Sequence, residues 1–232
     1  MKKIHTIVFA CIVLFSAATA MAQEQYKLKF HDFNELVVAD DINVDYICDP
    51  SKAGEVEFEA PKHLVSLIVF EPSKTKLTIK LSDKNVEYPK VPTVKVYSSY
   101  LTNLKNDGDS LVQVLSIADG PKFSCRVIGN GKISIHNIKA NEISATILTG
   151  KGAIAINGEC KVASLNVTGS GQINAEGLKA LEVKATASSG SIVCHAVEKL
   201  NAGGLSGKIQ FRGTPEVKKQ FLSNVKIISI EE

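Results

Sequence analysis

Residues 129–213 repeat one short pattern five times, and few folds can accommodate that. Each unit opens on a glycine-bearing corner followed by isoleucine: Gly129-Asn-Gly131-Lys-Ile133, Gly150-Lys-Gly152-Ala-Ile154, Gly169-Ser-Gly171-Gln-Ile173, Ser189-Gly190-Ser-Ile192 and Ser206-Gly207-Lys-Ile209. The isoleucines fall 21, 19, 19 and 17 residues apart. Two positions after each come Ile135, Ile156, Ala175, Cys194 and Phe211. Four positions after come Asn137, Gly158, Gly177, Ala196 and Gly213, which read as a second corner. Alternation of period two marks a short strand with one buried face. A second strand follows in each unit, with Ile143 and Ala145, Leu165 and Val167, Leu181 and Val183, and Leu200 and Ala202 read as inward. One such unit cannot bury its own apolar face. Stacked about 4.8 Å apart, the units bury it together and satisfy their backbones through parallel ladders. The pattern predicts an all-β chain, a single-stranded right-handed parallel β-helix with rungs of about 20 residues. Gly131, Gly152, Gly171, Gly190 and Gly207 are its structural corners, where positive φ is expected.

The N-terminal half is built differently. Aromatic residues crowd into residues 30–123, whereas none occurs from Ser124 to Gln210, as a narrow interior requires. Strand patterns recur at Leu36-Val38, Ile42-Val44-Tyr46, Val56-Phe58, Leu67-Val69, Leu77-Ile79-Leu81, Val94-Val96 and Val112-Val114. Turns are marked by Asp49-Pro50, Glu71-Pro72, Asp107-Gly108 and Asp119-Gly120, and no helix stands out. We therefore expect residues 23–105 to form a wider β region continuous with the solenoid, and residues 106–232 the regular rungs. An open solenoid end invites aggregation, so Val225–Ile230 is expected to cap the far end.

The first 22 residues read as a separate device. Lys2 and Lys3 precede the apolar run Ile7–Ala18, which is too short to span a bilayer, and Ala20-Met21-Ala22 fits a small-x-small cleavage site. They predict a signal peptide cut before Gln23 and an exported product in the periplasm, on the outer surface or secreted. Without Lys2 and Lys3, 25 basic side chains face 24 acidic ones. No polybasic run remains, so nucleic acid is not an expected partner, and no later apolar run could span a membrane. Cys48, Cys125, Cys160 and Cys194 mostly continue the apolar parity. They are expected to be buried thiols, although export and four cysteines would allow three pairings.

Several stretches match the layout of a known family. Phe33-x-x-Leu36 followed by Ile42-Asn-Val44 forms an opening pair. Val91-Pro-Thr-Val94-Lys-Val96 leads into Leu101-Thr-Asn-Leu104. The Gly-Ser-Gly-x-Ile repeat is cleanest at Gly169–Ile173, and Ser206-Gly207-Lys-Ile-Gln-Phe211-Arg-Gly213-Thr-Pro215 closes the series. In this order the segments resemble the auto-transporter adhesin head GIN domain family across roughly residues 33–217. The residue before the repeat isoleucine departs from the family's acidic or asparagine preference, being Lys132, Ala153, Gln172, Ser191 or Lys208. The resemblance implies an exported, Bacteroidetes-type envelope protein with a solenoid fold, and supplies no catalytic or binding residues.

The chemistry-bearing motifs are sparse. Gly150-Lys-Gly152-Ala-Ile-Ala155 formally fits a dinucleotide fingerprint, but Ile154–Ile156 continues as a strand where that motif needs a helix. None of the five corners carries an aspartate, so a calcium ladder lacks ligands and no metal or cofactor is expected; Asp107-Gly-Asp109 with Asp119 reads as a turn before a single ion site. An outward column remains: His136, Asn157, Glu176, His195 and Arg212, each three residues after a repeat isoleucine. As rung neighbours near 4.8 Å, Glu176 and His195 could form a general acid–base pair, as stacked polar residues do in polysaccharide lyases and hydrolases; a merely solvated face explains them as well. For stacking on sugars the aromatic half is the better place, with Phe70, Tyr88, Tyr97 and Tyr100 as candidates that core packing also explains. The sequence thus favours a non-enzymatic binding or adhesion module whose partner is a glycan or an envelope or extracellular protein. A polysaccharide-active enzyme and a periplasmic scaffold are the alternatives, and a homo-oligomer fits each.

Overall fold

A computed structural model describes residues 24–82, 91–222 and 224–230. Every strand in it belongs to one 17-stranded sheet wound into a β-solenoid. Two faces carry the long ladders. The first stacks β2 (Glu35–Ala39), β6 (Lys76–Leu81), β8 (Asn103–Asp107), β10 (Gly120–Val127), the second halves of β11 to β14, and β16 (Glu216–Leu222). The second stacks β3 (Val44–Cys48), β7 (Val94–Ser98), β9 (Leu111–Ser116), the first halves of β11 to β14, β15 (Lys208–Arg212) and β17 (Lys226–Ser229). The four long strands are β11 (Lys132–Ile147), β12 (Ala153–Val167), β13 (Gln172–Ala187) and β14 (Ser191–Gly204). Each bends from one face to the next, and the registers of the pairs β11–β12 and β12–β13 slip at that bend.

The register fixes the interior. Ile133, Ile154, Ile173, Ile192, Ile209 and Ile227 are partners in successive rungs, and the same file continues the other way through Val112, Val44 and Val94. All but Ile227 are buried. Each such aliphatic side chain taken from water contributes about 1.5–3 kcal/mol. On the other face the inward files are Ile143, Ala163, Val183 and Leu200, and Ala145, Leu165, Ala185 and Ala202. Leu181, expected inside, is 41% exposed. The third unit's bend takes in Leu178 and Ala180, which moves Leu181 onto an outward position. Ala196 is likewise no corner: it is fully buried within β14.

Close stacking, more than positive φ, explains the corner glycines. None of the five expected corners, Gly131, Gly152, Gly171, Gly190 and Gly207, has positive φ; it is positive at Gly129 and Gly150 just ahead of two of them, and at Gly158 and Gly213 of the second corner. At Gly171 and Gly190 the backbone of the previous rung lies so near that a Cβ would overlap the Gly152 and Gly171 carbonyl oxygens. Side chains reinforce the same corner. Asp109 Oδ1 accepts the Asn130 N–H at 3.2 Å, and Asn130 Oδ1 accepts the Lys151 N–H at 3.1 Å.

The first rungs are threaded out of sequence. β2 lies between β6 and β8, and β3 between β7 and β9, so the chain builds one rung and later places neighbours on both sides of it. Larger residues fill this wider section. Tyr46 is fully buried, its hydroxyl 2.7 Å from Ser98 Oγ. Antiparallel strands close the end: β4 (Glu55–Ala60) on β7, β1 (Glu24–Lys29) on β4, and β5 (Ile68–Ser73) on β6. The turn expected at Glu71-Pro72 lies at Lys74-Thr75 instead, with Lys74 at φ 51°. Asp49-Pro50 starts a 3-10 turn capped by the Asp49 side chain, and a four-residue helix, α1 (Lys62–Val65), appears where none was expected. At the opposite end β17 stacks in parallel on β15 as the last described rung. Its Ile228 and the Val217 of β16 are both exposed.

Candidate functional site

Of the expected outward column only His195 and Arg212 are register partners, while His136, Asn157 and Glu176 fall in the slips at the bend. His136 and Asn157 are exposed, and His136 Nε2 sits 3.3 Å from Ser134 Oγ. The fourth rung is shorter at the bend than the third. Ala175 therefore faces Cys194, but the next register partner of His195 is Lys179, and Glu176 lies in the slip between them. On its other side His195 pairs in register with Arg212. The Arg212 guanidinium reaches past the His195 rung to Glu176, with Nη2 2.8 Å from Oε1, while its Nε is buried without a hydrogen-bond partner. The carboxylate that would serve as a base is thus engaged by a permanent cation. The structure joins Glu176 to Arg212 and leaves His195 between them.

The other candidates resolve one by one. Ala153–Val167 runs on as strand β12 after Gly150–Gly152, so the dinucleotide pattern is a corner. Asp107 pairs with Lys105 at 2.8 Å and Asp109 accepts from Asn130. Among the described residues no group of three or more His, Cys, Asp or Glu side chains could hold a metal ion. The four cysteines are free thiols, three of them buried. Burial pushes the thiols of Cys125 and Cys194 up to about 12 and that of Cys160 up to about 11.

Of the four ring candidates, Tyr88 lies outside the described residues. Phe70 packs against Phe30 and Phe58, at 5.8 Å between centroids in each case. Tyr97 is buried and donates to Glu57 Oε2 at 3.0 Å, with Lys52 Nζ 4.7 Å from its ring centroid. Tyr100 alone of these three faces solvent, at 49% exposure. The Asn34 amide donates to its hydroxyl at 3.2 Å and holds the ring in place.

Behind Tyr100 the wall of the solenoid opens into a recess of about 330 Å³, floored by Leu101, Ile117, Pro121, Phe123 and Ile138 and rimmed by Asp119, Lys122 and Lys139. Its size falls at the lower end of ligand pockets, about 300–1,000 Å³. A shallower trough over Gly120, Ala140 and Cys160 continues from it. The recess exists because the third, short side of the solenoid begins here. From Ala140 onward Cys160 and Ala180 stack in register, but among the described residues no strand pairs with Gly120 on its other side. Of this set sequence analysis named Tyr100 as a ring for stacking, Asp119 and Gly120 only as a turn or ion site, and Leu101 only within a family-like segment. The available signal was the irregular segment Ile117-Ala-Asp-Gly-Pro121, which breaks the period just before the first regular rung.

A family model described as "Putative auto-transporter adhesin, head GIN domain" matches residues 32–215. The chain belongs to this family. No curated protein matches it. Among solved structures, an adhesin-described protein of Bacteroides fragilis is 22% identical, with a TM-score of 0.82 over 90% of this chain and 96% of its own. A second adhesin-described protein, from Parabacteroides distasonis, is 21% identical, with a TM-score of 0.73 over 90% and 97%. A third, from the same organism and described as a "putative lipid binding protein", is 24% identical, with a TM-score of 0.67 over the same shares. At these identities the likeness shows the shared solenoid. The chain is adhesin-like in family and fold, and among its described residues no helix is long and apolar enough to cross a membrane.

Proposed function

We propose that this chain is a non-enzymatic binding module of the cell envelope, exported by its first 22 residues and working through the side of its solenoid. The observation that carries the reading is the contrast between two surfaces. The polar column that could have supported turnover is tied up by the Arg212–Glu176 pair. The recess behind Tyr100 offers what recognition uses: a held aromatic ring at the mouth, an apolar floor and a few charges at the rim. Family membership supports the adhesion side of this reading, and the apolar floor fits the lipid-binding description of one structural neighbour in polarity. Protease added to intact cells tests it. Cleavage of the mature band while periplasmic markers survive is the expected result. Full protection, with release of the protein on osmotic shock, would remove adhesion.

A further inference from the structure

At the recess, an unpaired strand edge and an apolar hole coincide. β10 pairs with β11 from its first residue, Gly120 opposite Ala140 and Lys122 opposite Glu142. Its other edge meets β8 only from Ser124 onward. There the Ser124 N–H donates to the Thr102 carbonyl at 2.8 Å. Backbone groups point to alternate edges along a strand, so the N–H and C=O of Lys122 face the same way as those of Ser124. No strand pairs with them on that side among the described residues. An edge of this kind is a template for another chain. The space beside it is open, since a Cβ built on Gly120 would meet nothing within 4 Å.

We propose that this edge and recess form a strand-addition site for an extended polypeptide segment of a partner protein, one apolar side chain of which enters the recess beside Tyr100. The proposal rests on the binding-module reading and names the chemistry of its partner. Two features select this occupant. Alternating N–H and C=O groups at an edge are complementary to another peptide backbone, not to an acyl chain. The apolar floor asks for an apolar side chain, not a hydroxyl-rich ring. In such docking the main chain supplies affinity and the pocket supplies specificity. Asp119, Lys122 and Lys139 at the rim bring both signs of charge to the flanking residues of the segment.

The experiment is selection of a phage-displayed library of short random peptides on the mature protein. Recovered peptides are then measured against two variants. Lys122→Pro removes the outward N–H while sparing the β11 ladder, because proline is tolerated where the N–H side faces solvent. Gly120→Leu fills the recess without a clash at its Cβ. The expected result is a set of sequences sharing one apolar residue, bound at least about tenfold more weakly by each variant. Thermal melting of both variants checks that they fold, and either one suffices for the comparison. Peptides that bind wild type and variants equally, or the recovery of no sequences, would overturn the proposal. So would phosphatidylcholine vesicles binding the protein in a manner blocked by Gly120→Leu but not by Lys122→Pro, which would assign the recess to an acyl chain. None of these failures bears on the protease result above, so the two readings fail separately.

Discussion

Arg212 Nη2 lies 2.8 Å from Glu176 Oε1 across the rung that carries His195. One arginine therefore links three successive rungs at the point where the chain shortens its bend. Both side chains are a little over one-third exposed, so their attraction is weakened by solvent. A double-mutant cycle on Glu176→Gln and Arg212→Gln should give a coupling of about 0.2–1 kcal/mol that shrinks with added salt. Polysaccharide assays give the functional side of the same prediction: no cleavage by the wild-type protein, and hence nothing for Glu176→Gln to lose. Turnover abolished by Glu176→Gln would restore the enzymatic alternative.

Gly150 separates two reasons for glycine in a solenoid. Its φ is 74°, and a Cβ there would overlap the Gly129 carbonyl oxygen. Gly150→Ala should cost on the order of 1–3 kcal/mol from backbone strain alone, with the clash adding to it. For a chain of this size that lowers the melting temperature by several degrees. Gly120→Leu, with open space at its Cβ, should leave the melting temperature nearly unchanged. Calorimetry on the pair checks both, and equal losses would contradict the stacking geometry.

The thiols give a chemical ruler of burial. Cys48 is half-buried and donates from Sγ to the Ser99 carbonyl at 3.1 Å; burial raises its thiol too, but Cys125, Cys160 and Cys194 are buried and pushed up to about 11 or 12. Since the thiolate is the reactive form, an aromatic disulfide reagent at pH 8 should label Cys48 first and the other three only on unfolding. In denaturant all four should react without prior reduction. A count below four would show that a disulfide had formed.

The repeat made the regular half legible because its files are nearly pure: isoleucine follows isoleucine at each rung, and the parity of the next residue follows from the strand. The same reasoning misplaced Leu181 because a bend of variable length precedes it, and periodicity cannot count residues that bulge. Leu181 lies in the slip between Ala180 and Glu182; a separate slip, between Ala175 and Lys179, misplaced Glu176 beside His195. The N-terminal rungs were harder to read, since β2 and β3 find their neighbours in strands that come after two antiparallel excursions. β8 (Asn103–Asp107) went unnoticed because its inward residues are Leu104 and Asn106. The Asn106 amide fills a file position by donating to the Ser110 carbonyl at 2.9 Å and the Lys132 carbonyl at 3.1 Å. The recess was illegible for a related reason: it lies where the first residues of β10 lack a neighbour on one edge among the described residues, and a missing ladder leaves no mark on composition.

The capped end should respond to acid. Lys27 lies 2.7 Å from Glu55 and 3.4 Å from Glu57, joining edge strand β1 to β4, and Tyr97 donates to Glu57 from β7. The Lys27 hydrogen bond holds the Glu55 carboxyl below its ordinary 4.5. Burial alone would raise Glu57, but the hydrogen bonds from Tyr97 and Lys27 outweigh it and also bring that carboxyl down. Carboxyls depressed in the folded state contribute stability that is fully present above the unfolded value and is lost as pH falls through the folded one. Lys27 is raised from 10.5 by the same contacts, so its share is present below that value and lost as pH rises past it. The β1–β4 contact should therefore be firm between about pH 5 and 10 and loosen below 4.5. Hydrogen exchange of the β1 amides at pH 7 and pH 3.5, corrected for intrinsic rates, measures this directly. Protection should fall in β1 while the isoleucine files of β11 to β14 stay protected. Equal loss in both would mean that acid acts on the whole solenoid and not on the ion pairs of its cap.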